Sequence, residues 1–286
     1  VLLVVSVVIL MTQAWLPLNP DHVPNMKWDL ALHTTISFLT NTNQQHYSGQ
    51  AQLSYLSQMT VIVGMQFLSP IIGLALLTAM LRALFSQSSK TQSKDKQHWQ
   101  EINLGNYWLD LIRPLLRFFL PLAFVFSLLL TWQGVPATLS GGPVAQNLDQ
   151  SVEVKTQHIP LGPVAPMVAI KQLGSNGGGW YGPNSSVPLE NPTPFSNVIE
   201  MLAILLIPLS VVFMIGRFVQ RRKLMWMIFG TMLLMSLAST MLSMWTEKFS
   251  LLPNVAQMEG KEVRFGVEAS ALWSSLTTQV NNGSVN

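Results

Sequence analysis

Apolar runs of two lengths alternate with polar stretches along this chain. The longer runs are Ser54 to Phe85, Trp108 to Trp132, Phe195 to Ile215 and Leu224 to Trp245. Each approaches or exceeds the roughly 20 residues a helix needs to cross a bilayer. Ser54 to Phe85 carries polar interruptions at Gln58 and Gln66, and a Ser69-Pro70 pair that predicts a kink. Val1 to Leu16 predicts the exit half of a further spanning helix, ending at Trp15, an interfacial residue type. Pro17, Pro20 and Pro24 then predict an extended loop. The shorter runs are Lys27 to Leu39, Val164 to Leu173 and Val267 to Thr278, helix-compatible but too short to span. A polar loop follows each of them: Thr40 to Gly49, rich in amides and hydroxyls; Gly174 to Gly179; and Val280 to Asn286. The expected cycle is span, loop, short re-entrant helix, polar loop with glycine, span. It occurs around Asn43, again around Asn176, and a third time, incomplete, around Asn282.

The second polar loop, Gly174-Ser175-Asn176-Gly177-Gly178-Gly179, is the centre of this pattern. Three consecutive glycines do not belong in a helix interior, where each costs about 1 kcal/mol against alanine. They let an ion or another chain approach the backbone closely. The run lacks the Gly-Lys-Ser/Thr ending of a nucleotide P-loop and the spacing of a dinucleotide fingerprint. Two readings remain from the glycines alone, a plain surface turn and a pore loop. Irregular backbone at membrane depth survives only where protein buries it or where it lines a wet cavity.

Composition then narrows the class. The 286 residues are 49% hydrophobic and only 10% charged, with a mean hydropathy of +0.35. Soluble domains carry about 25% charged residues, so an integral, all-α membrane protein is expected. There is no cysteine, and His22, His33, His46, His98 and His158 form no ligand pair. The basic residues make no sustained stripe, which argues against nucleic acid. The connectors Ser86 to Asn106 and Arg217 to Lys223, with Arg82, Arg113 and Arg117, hold ten of the sixteen Lys and Arg. Their acids are Asp95, Glu101 and Asp110. The positive-inside rule puts these connectors in the cytoplasm, so all three polar loops enter from the outer side and the pore reading gains over the turn. The expected divisions are a first helix–pore loop–helix unit at 1–85, a connector at 86–106, a second unit at 107–216, a connector at 217–223 and a third unit at 224–286. Val1 lies mid-run without a basic flank and the chain stops in polar sequence, which reads as an internal fragment.

The loops carry a resemblance. Thr40-Asn41-Thr42-Asn43-x-Gln45-x-Tyr47-Ser48-Gly49 and Ala169-Ile170-Lys171-x-Leu173-Gly174-x-Asn176-Gly177-Gly178-Gly179 are similar to the first and second filter loops of the KdpA family. Asn184-Ser185-Ser186-x-Pro188-x-Glu190-Asn191-Pro192-Thr193 and Met258-Glu259-Gly260-Lys261-Glu262-x-Arg264-Phe265-Gly266 resemble further blocks of it. The resemblance implies the architecture of the superfamily of potassium transporters, with about two and a half of four repeats present. It implies K+ as the transported ion, entry from outside, and a bacterial inner-membrane location. It also implies an ATP-hydrolysing KdpB partner, with KdpC and KdpF subunits. Carried over, the ion-facing residues are Asn41, Thr42, Asn43 and Gln45; Ser175, Asn176, Gly177 and Gly178; and Asn281, Asn282 and Gly283. Ser175 stands where the family commonly has Thr, and Asn281-Asn282 where it has Ser-Cys. No acid lies inside the three loops, and K+ filters use neutral carbonyl dipoles.

Other residues keep competing readings. Lys171 is expected to snorkel or serve structure rather than gate. Glu190 and Glu200 either concentrate cations at the outer mouth or, for Glu200, begin a helix. The nine tryptophans are expected mostly at span ends, and the methionines from Met225 to Met244 as packing rather than copper ligands. Arg221-Arg222-Lys223 faces anionic lipid or a partner, or simply sets topology. With no phosphorylation motif or nucleotide loop, the chain is expected to bind no nucleotide and to be a non-hydrolytic subunit. A passive or ion-coupled potassium channel-transporter and a helix-packing scaffold are the alternatives.

Overall fold

The structure, a computed structural model, describes residues 1–85, 103–148, 151, 155–249 and 257–286. Most of the Ser86 to Asn106 connector, and part of the Glu247 to Gly266 loop, lie outside the described residues. The described elements are helical but for one short strand pair. In chain order the helices of eight or more residues are α1 Leu2–Thr12, α2 Trp28–Leu39, α3 Tyr55–Phe85, α4 Tyr107–Trp132, α5 Val164–Leu173, α6 Pro194–Phe218, α7 Arg222–Lys248 and α8 Gly266–Gln279. Helices α3, α4, α6 and α7 are long and apolar enough to cross a membrane. The chain folds as an all-α membrane protein.

Local chemistry sets the helix starts. Asn106 Oδ1 accepts the Leu109 N–H at 3.2 Å at the entry to α4. A reciprocal box opens α6: Thr193 Oγ1 accepts the Ser196 N–H, and Ser196 Oγ accepts the Thr193 N–H, both at 3.0 Å, with Pro194 at the first helical position. Two spans contain a wider π turn, Gln58–Ile62 in α3 and Leu115–Phe119 in α4. The second is followed by Pro121, which cannot donate to the carbonyl four residues back. Between the C-terminal end of α3 and the N-terminal end of α4, Arg82 clasps the Asp110 carboxylate with two nitrogens.

Several details differ from the sequence reading. The loop at 133–163 contains an antiparallel pair, β1 Val144–Gln146 against β2 Thr156–His158, too short to leave an alternation signal. Helices α6 and α7 run into the basic connector, leaving only Val219 to Arg221 between them. Trp180 and Trp273 are core residues, not interfacial anchors.

The largest core joins the first two helical groups. Leu10, Phe38, Tyr55 and Ile62 from one pack with Leu130, Val164, Val168, Trp180 and Tyr181 from the other. A second cluster, including Ile71, Ala75, Phe119, Leu173 and Ala203, continues it along α3, α4 and α6. The α7–α8 pair is held to α6 by a small cluster of Met201, Ile204 and Trp273. Helix α7 is apolar all round and presents Trp226, Leu234, Met235, Met241 and Leu242 outward, the pattern of a lipid-facing or protein-buried span.

Replacing Thr193 by Ala removes one half of the α6 box. Unfolding of the detergent-solubilised protein should then show a loss of about 1 kcal/mol.

Candidate functional site

Three helices too short to span, α2, α5 and α8, end in the same backbone device. Their last residues are followed by one cap residue and then by a residue in the left-handed region: Asn41 (φ 59°), Ser175 (φ 56°) and Asn281 (φ 58°). In each, that residue's N–H donates three positions back: Asn41 to Phe38 O, Ser175 to Gln172 O, Asn281 to Thr278 O. The next N–H donates five positions back, Thr42 to Ser37 O, Asn176 to Lys171 O and Asn282 to Thr277 O, all at 2.9 Å. These are three Schellman turns with one hydrogen-bond pattern. They fix the register between the loops: Thr42, Asn176 and Asn282 are equivalent. The repeat pattern centred on Asn43, Asn176 and Asn282 is one position off in the first loop, whereas the residues taken from the family resemblance, beginning at Asn41, Ser175 and Asn281, stand in this register.

Beyond each turn the backbone behaves alike. The carbonyls of Thr42 and Asn43, of Asn176 and Gly177, and of Asn282 and Gly283 accept no hydrogen bond among the described residues. The following carbonyl is anchored each time by a side chain. Ser37 Oγ donates to Gln44 O at 2.9 Å, Gln66 Nε2 to Gly178 O at 2.6 Å, and Trp273 Nε1 to Ser284 O at 2.9 Å. The carbonyls of Asn41, Ser175 and Asn281 are unbonded as well, so from the left-handed residue onward each loop offers three free carbonyls and then a tether.

The loops also meet. Asn43 Nδ2 donates to Asn176 Oδ1 at 3.0 Å, and Ser175 Oγ donates to Val280 O at 2.9 Å. Gln45 and Gly179 exchange two bonds of 3.0 Å, Nε2 to the carbonyl and N–H to Oε1. A Cβ added at Gly177 would stand 2.5 Å from Asn282 O, and one at Gly178 would stand 2.5 Å from the Phe38 ring and 3.3 Å from Asn43 O. The glycines are thus required by close approach. Asn41, Thr42, Asn43, Gln45, Ser175, Asn176, Gly177, Gly178, Asn281, Asn282 and Gly283 all sit in or beside the junction of the three loops. Gln45, Ser175 and Gly178 are engaged in holding it together, so their polar atoms there are already partnered. Asn43 and Gln66 each keep a buried oxygen with no partner, Oδ1 and Oε1.

Residues missed from sequence do much of this positioning. Pro70 has no N–H, which leaves the Gln66 carbonyl in α3 without its helical partner; Asn176 Nδ2 takes it at 2.9 Å. Ser69-Pro70 thus serves as a docking point for the second loop, where a kink alone had been expected. Gln58 Nε2 donates to Trp180 O at 3.1 Å. The available signal was two glutamines in an otherwise apolar span, with Pro70 four residues after the second.

Behind the second loop lies a fully buried polar cluster. Lys171 Nζ donates to Glu190 Oε2 at 2.7 Å and to Ser185 Oγ at 3.0 Å. Glu190 Oε1 accepts the Tyr181 N–H at 2.9 Å. Neither partner of this pair has any exposed surface. Lys171 therefore does not snorkel; it is structural. Glu190 and Glu200 are both wholly buried, and Glu200 lies in the second turn of α6. The outer-mouth reading of these acids is corrected, as is Glu200 as a helix start. Arg264 donates to Asn191 O at 2.6 Å, joining the 258–266 and 184–193 segments. Among the described residues no group of three or more His, Asp or Glu could hold a metal ion.

Removing one member of a buried pair strands the other. Lys171→Met should destabilise the protein by about 3–5 kcal/mol, and adding Glu190→Leu should recover much of that loss, both read from unfolding in detergent.

The family model described as "KdpA: Potassium-transporting ATPase A subunit" matches residues 1–286. A potassium-transporting ATPase potassium-binding subunit of Pseudomonas aeruginosa is 46% identical over 97% of this chain and 48% of its own length. Proteins of the same description from Pseudomonas fluorescens strain SBW25 and from Leptospira interrogans are each 44% identical, again over 97% of this chain and 48% of their own. The chain spans about half the length of the curated relatives it matches.

Proposed function

The chain belongs to the family of potassium-transporting ATPase A subunits, and on that basis we propose that its three polar loops are filter loops that bind K+ for translocation by an ATP-driven uptake complex. The observation that carries this reading is the threefold recurrence of three unbonded carbonyls from the left-handed residue of a Schellman turn onward, with the loops in contact. K+ is weakly hydrated and is selected by several neutral carbonyl oxygens that replace its water. Such an oxygen set, free of carboxylate, is what the junction offers. The ion-facing groups are the carbonyls of Thr42, Asn43, Asn176, Gly177, Asn282 and Gly283, with the flanking Asn41, Ser175, Gly178, Asn281 and Gln45 shaping them.

In this reading the units at 1–85, 107–216 and 224–286 are pseudo-repeats built of spans, a pore helix and a loop. Each inner helix grips the next loop, as α3 does through Gln58 and Gln66. The basic residues Arg82, Arg113, Arg117, Arg217, Arg222 and Lys223 mark the cytoplasmic side of a bacterial inner membrane, so the loops open outward. The chain hydrolyses nothing itself. The relatives are named as subunits of an ATPase, and the ATP chemistry is assigned to a KdpB-like partner, accompanied by KdpC-like and KdpF-like subunits. A passive channel of the same superfamily is separated by asking whether uptake needs the co-expressed ATPase subunit.

Gly177→Asp tests the assignment in the purified full-length complex. The added carboxylate meets Asn282 O, so the K+ concentration that half-stimulates ATP hydrolysis should rise at least tenfold, or stimulation should disappear. Equal stimulation of wild type and variant would mean that the ion is selected elsewhere.

A further inference from the structure

Helix α6 holds the third loop as α3 holds the second, directly at Asn286 through Asn197 and at Asn282 through an intermediary. Asn282 Nδ2 donates to Gln172 Oε1 at 3.1 Å, and Ser284 Oγ lies 3.4 Å from the same oxygen. Gln172 Nε2 in turn donates to Glu200 Oε2 at 2.7 Å. Gln172 and Glu200 are both without exposed surface, and Asn282 is 4% exposed.

The orientation of the Gln172 amide follows from the donors around it. Lys171 Nζ can only donate, and it occupies Ser185 Oγ at 3.0 Å. The single Ser185 proton therefore goes to Glu200 Oε2, 2.7 Å away. Glu200 Oε2 is then an acceptor and calls for the NH2 side of Gln172. That leaves Gln172 Oε1 facing Asn282. The reversed amide would set its NH2 against the Asn282 NH2 and its oxygen against a carboxylate. The chain of bonds is polarised from Lys171 through Ser185, Glu200 and Gln172 to the loop.

We propose that Gln172 and Glu200 are positioning residues for the third loop: Glu200 fixes the orientation of the Gln172 amide, and Gln172 fixes Asn282, so that the pair sets ion discrimination without touching the ion. The inference rests on the reading of the loops as the K+ filter. A second feature sharpens it. Both donors converge on Glu200 Oε2, while Oε1 is buried with no partner among the described residues. An amide nitrogen placed at Oε1 would leave the Oε2 bonds intact. The proposal therefore requires an acceptor at that point and not a negative charge.

The test compares Glu200→Gln, Glu200→Ala, Gln172→Met and Gly177→Asp in the full-length purified complex. The readouts are half-stimulating concentrations of K+ and Rb+ for ATP hydrolysis. Glu200→Gln should stay within about threefold of wild type for both ions. Glu200→Ala and Gln172→Met should raise the K+ value about tenfold and bring the Rb+ to K+ ratio towards one, the scale of one buried hydrogen bond to a charged group. Should Glu200→Ala fail to assemble, Gln172→Met keeps the volume and carries the same comparison. Glu200→Gln behaving as badly as Gln172→Met would overturn the proposal in favour of a charge requirement. Unchanged ion ratios in Gln172→Met and Glu200→Ala, with Gly177→Asp impaired, would overturn it while leaving the filter reading standing. An unimpaired Gly177→Asp would sink the filter reading itself.

Discussion

Carbonyl groups left without hydrogen bonds and brought near one another are an unfavourable arrangement, since their dipoles repel and their lone pairs lack donors. The junction of the three loops collects such groups, and much of the polar structure around it keeps them in place. The left-handed residue at each helix end turns the chain out of the helix, so that the next carbonyls cannot continue the ladder. Ser37, Gln66 and Trp273 then pin the carbonyl beyond, which closes a run of three unbonded carbonyls in each loop, from the left-handed residue onward. A cation seated among these oxygens would supply the partner that the protein itself does not give them, which is the physical sense in which the proposed filter is preorganised.

The supports for the loops come from other segments of the chain. The second loop is held by α3 through Gln58, the Gln66 side chain and the Gln66 carbonyl. The third is held from α5 and α6 through Gln172 and Asn197, the latter accepting from Asn286 Nδ2 at 2.9 Å. A change at one junction is therefore transmitted to its neighbour. The buried Lys171–Glu190 pair sits between the two, fixing both the end of α5 and the segment that follows the second loop.

Apolar run length alone located the spans and separated them from the short helices; α2 and α5 lie where Lys27 to Leu39 and Val164 to Leu173 predicted. The glycine run and the amide-rich loop marked the polar junction. The register between loops was not legible in the repeat pattern itself, because the equivalence resides in φ angles that Asn, Ser and Asn adopt without a shared letter pattern. Nor was the burial of Lys171, Glu190 and Glu200 readable, since a charged residue in sequence looks solvated until its partner is known. Lys171 and Glu190 lie nineteen positions apart. The strand pair at 144–158 is set by three residues a side and leaves too little periodicity to detect.

Pro70 has a consequence for how such a chain is made. Its missing N–H leaves one carbonyl of α3 unsatisfied by the helix itself, and the donor that completes it, on Asn176, lies 110 residues downstream. Synthesis delivers α3 long before that donor exists. This span is therefore an incomplete helix until the second loop arrives to finish its hydrogen bonding. The second loop and the span that supports it thus reach their final hydrogen bonding together.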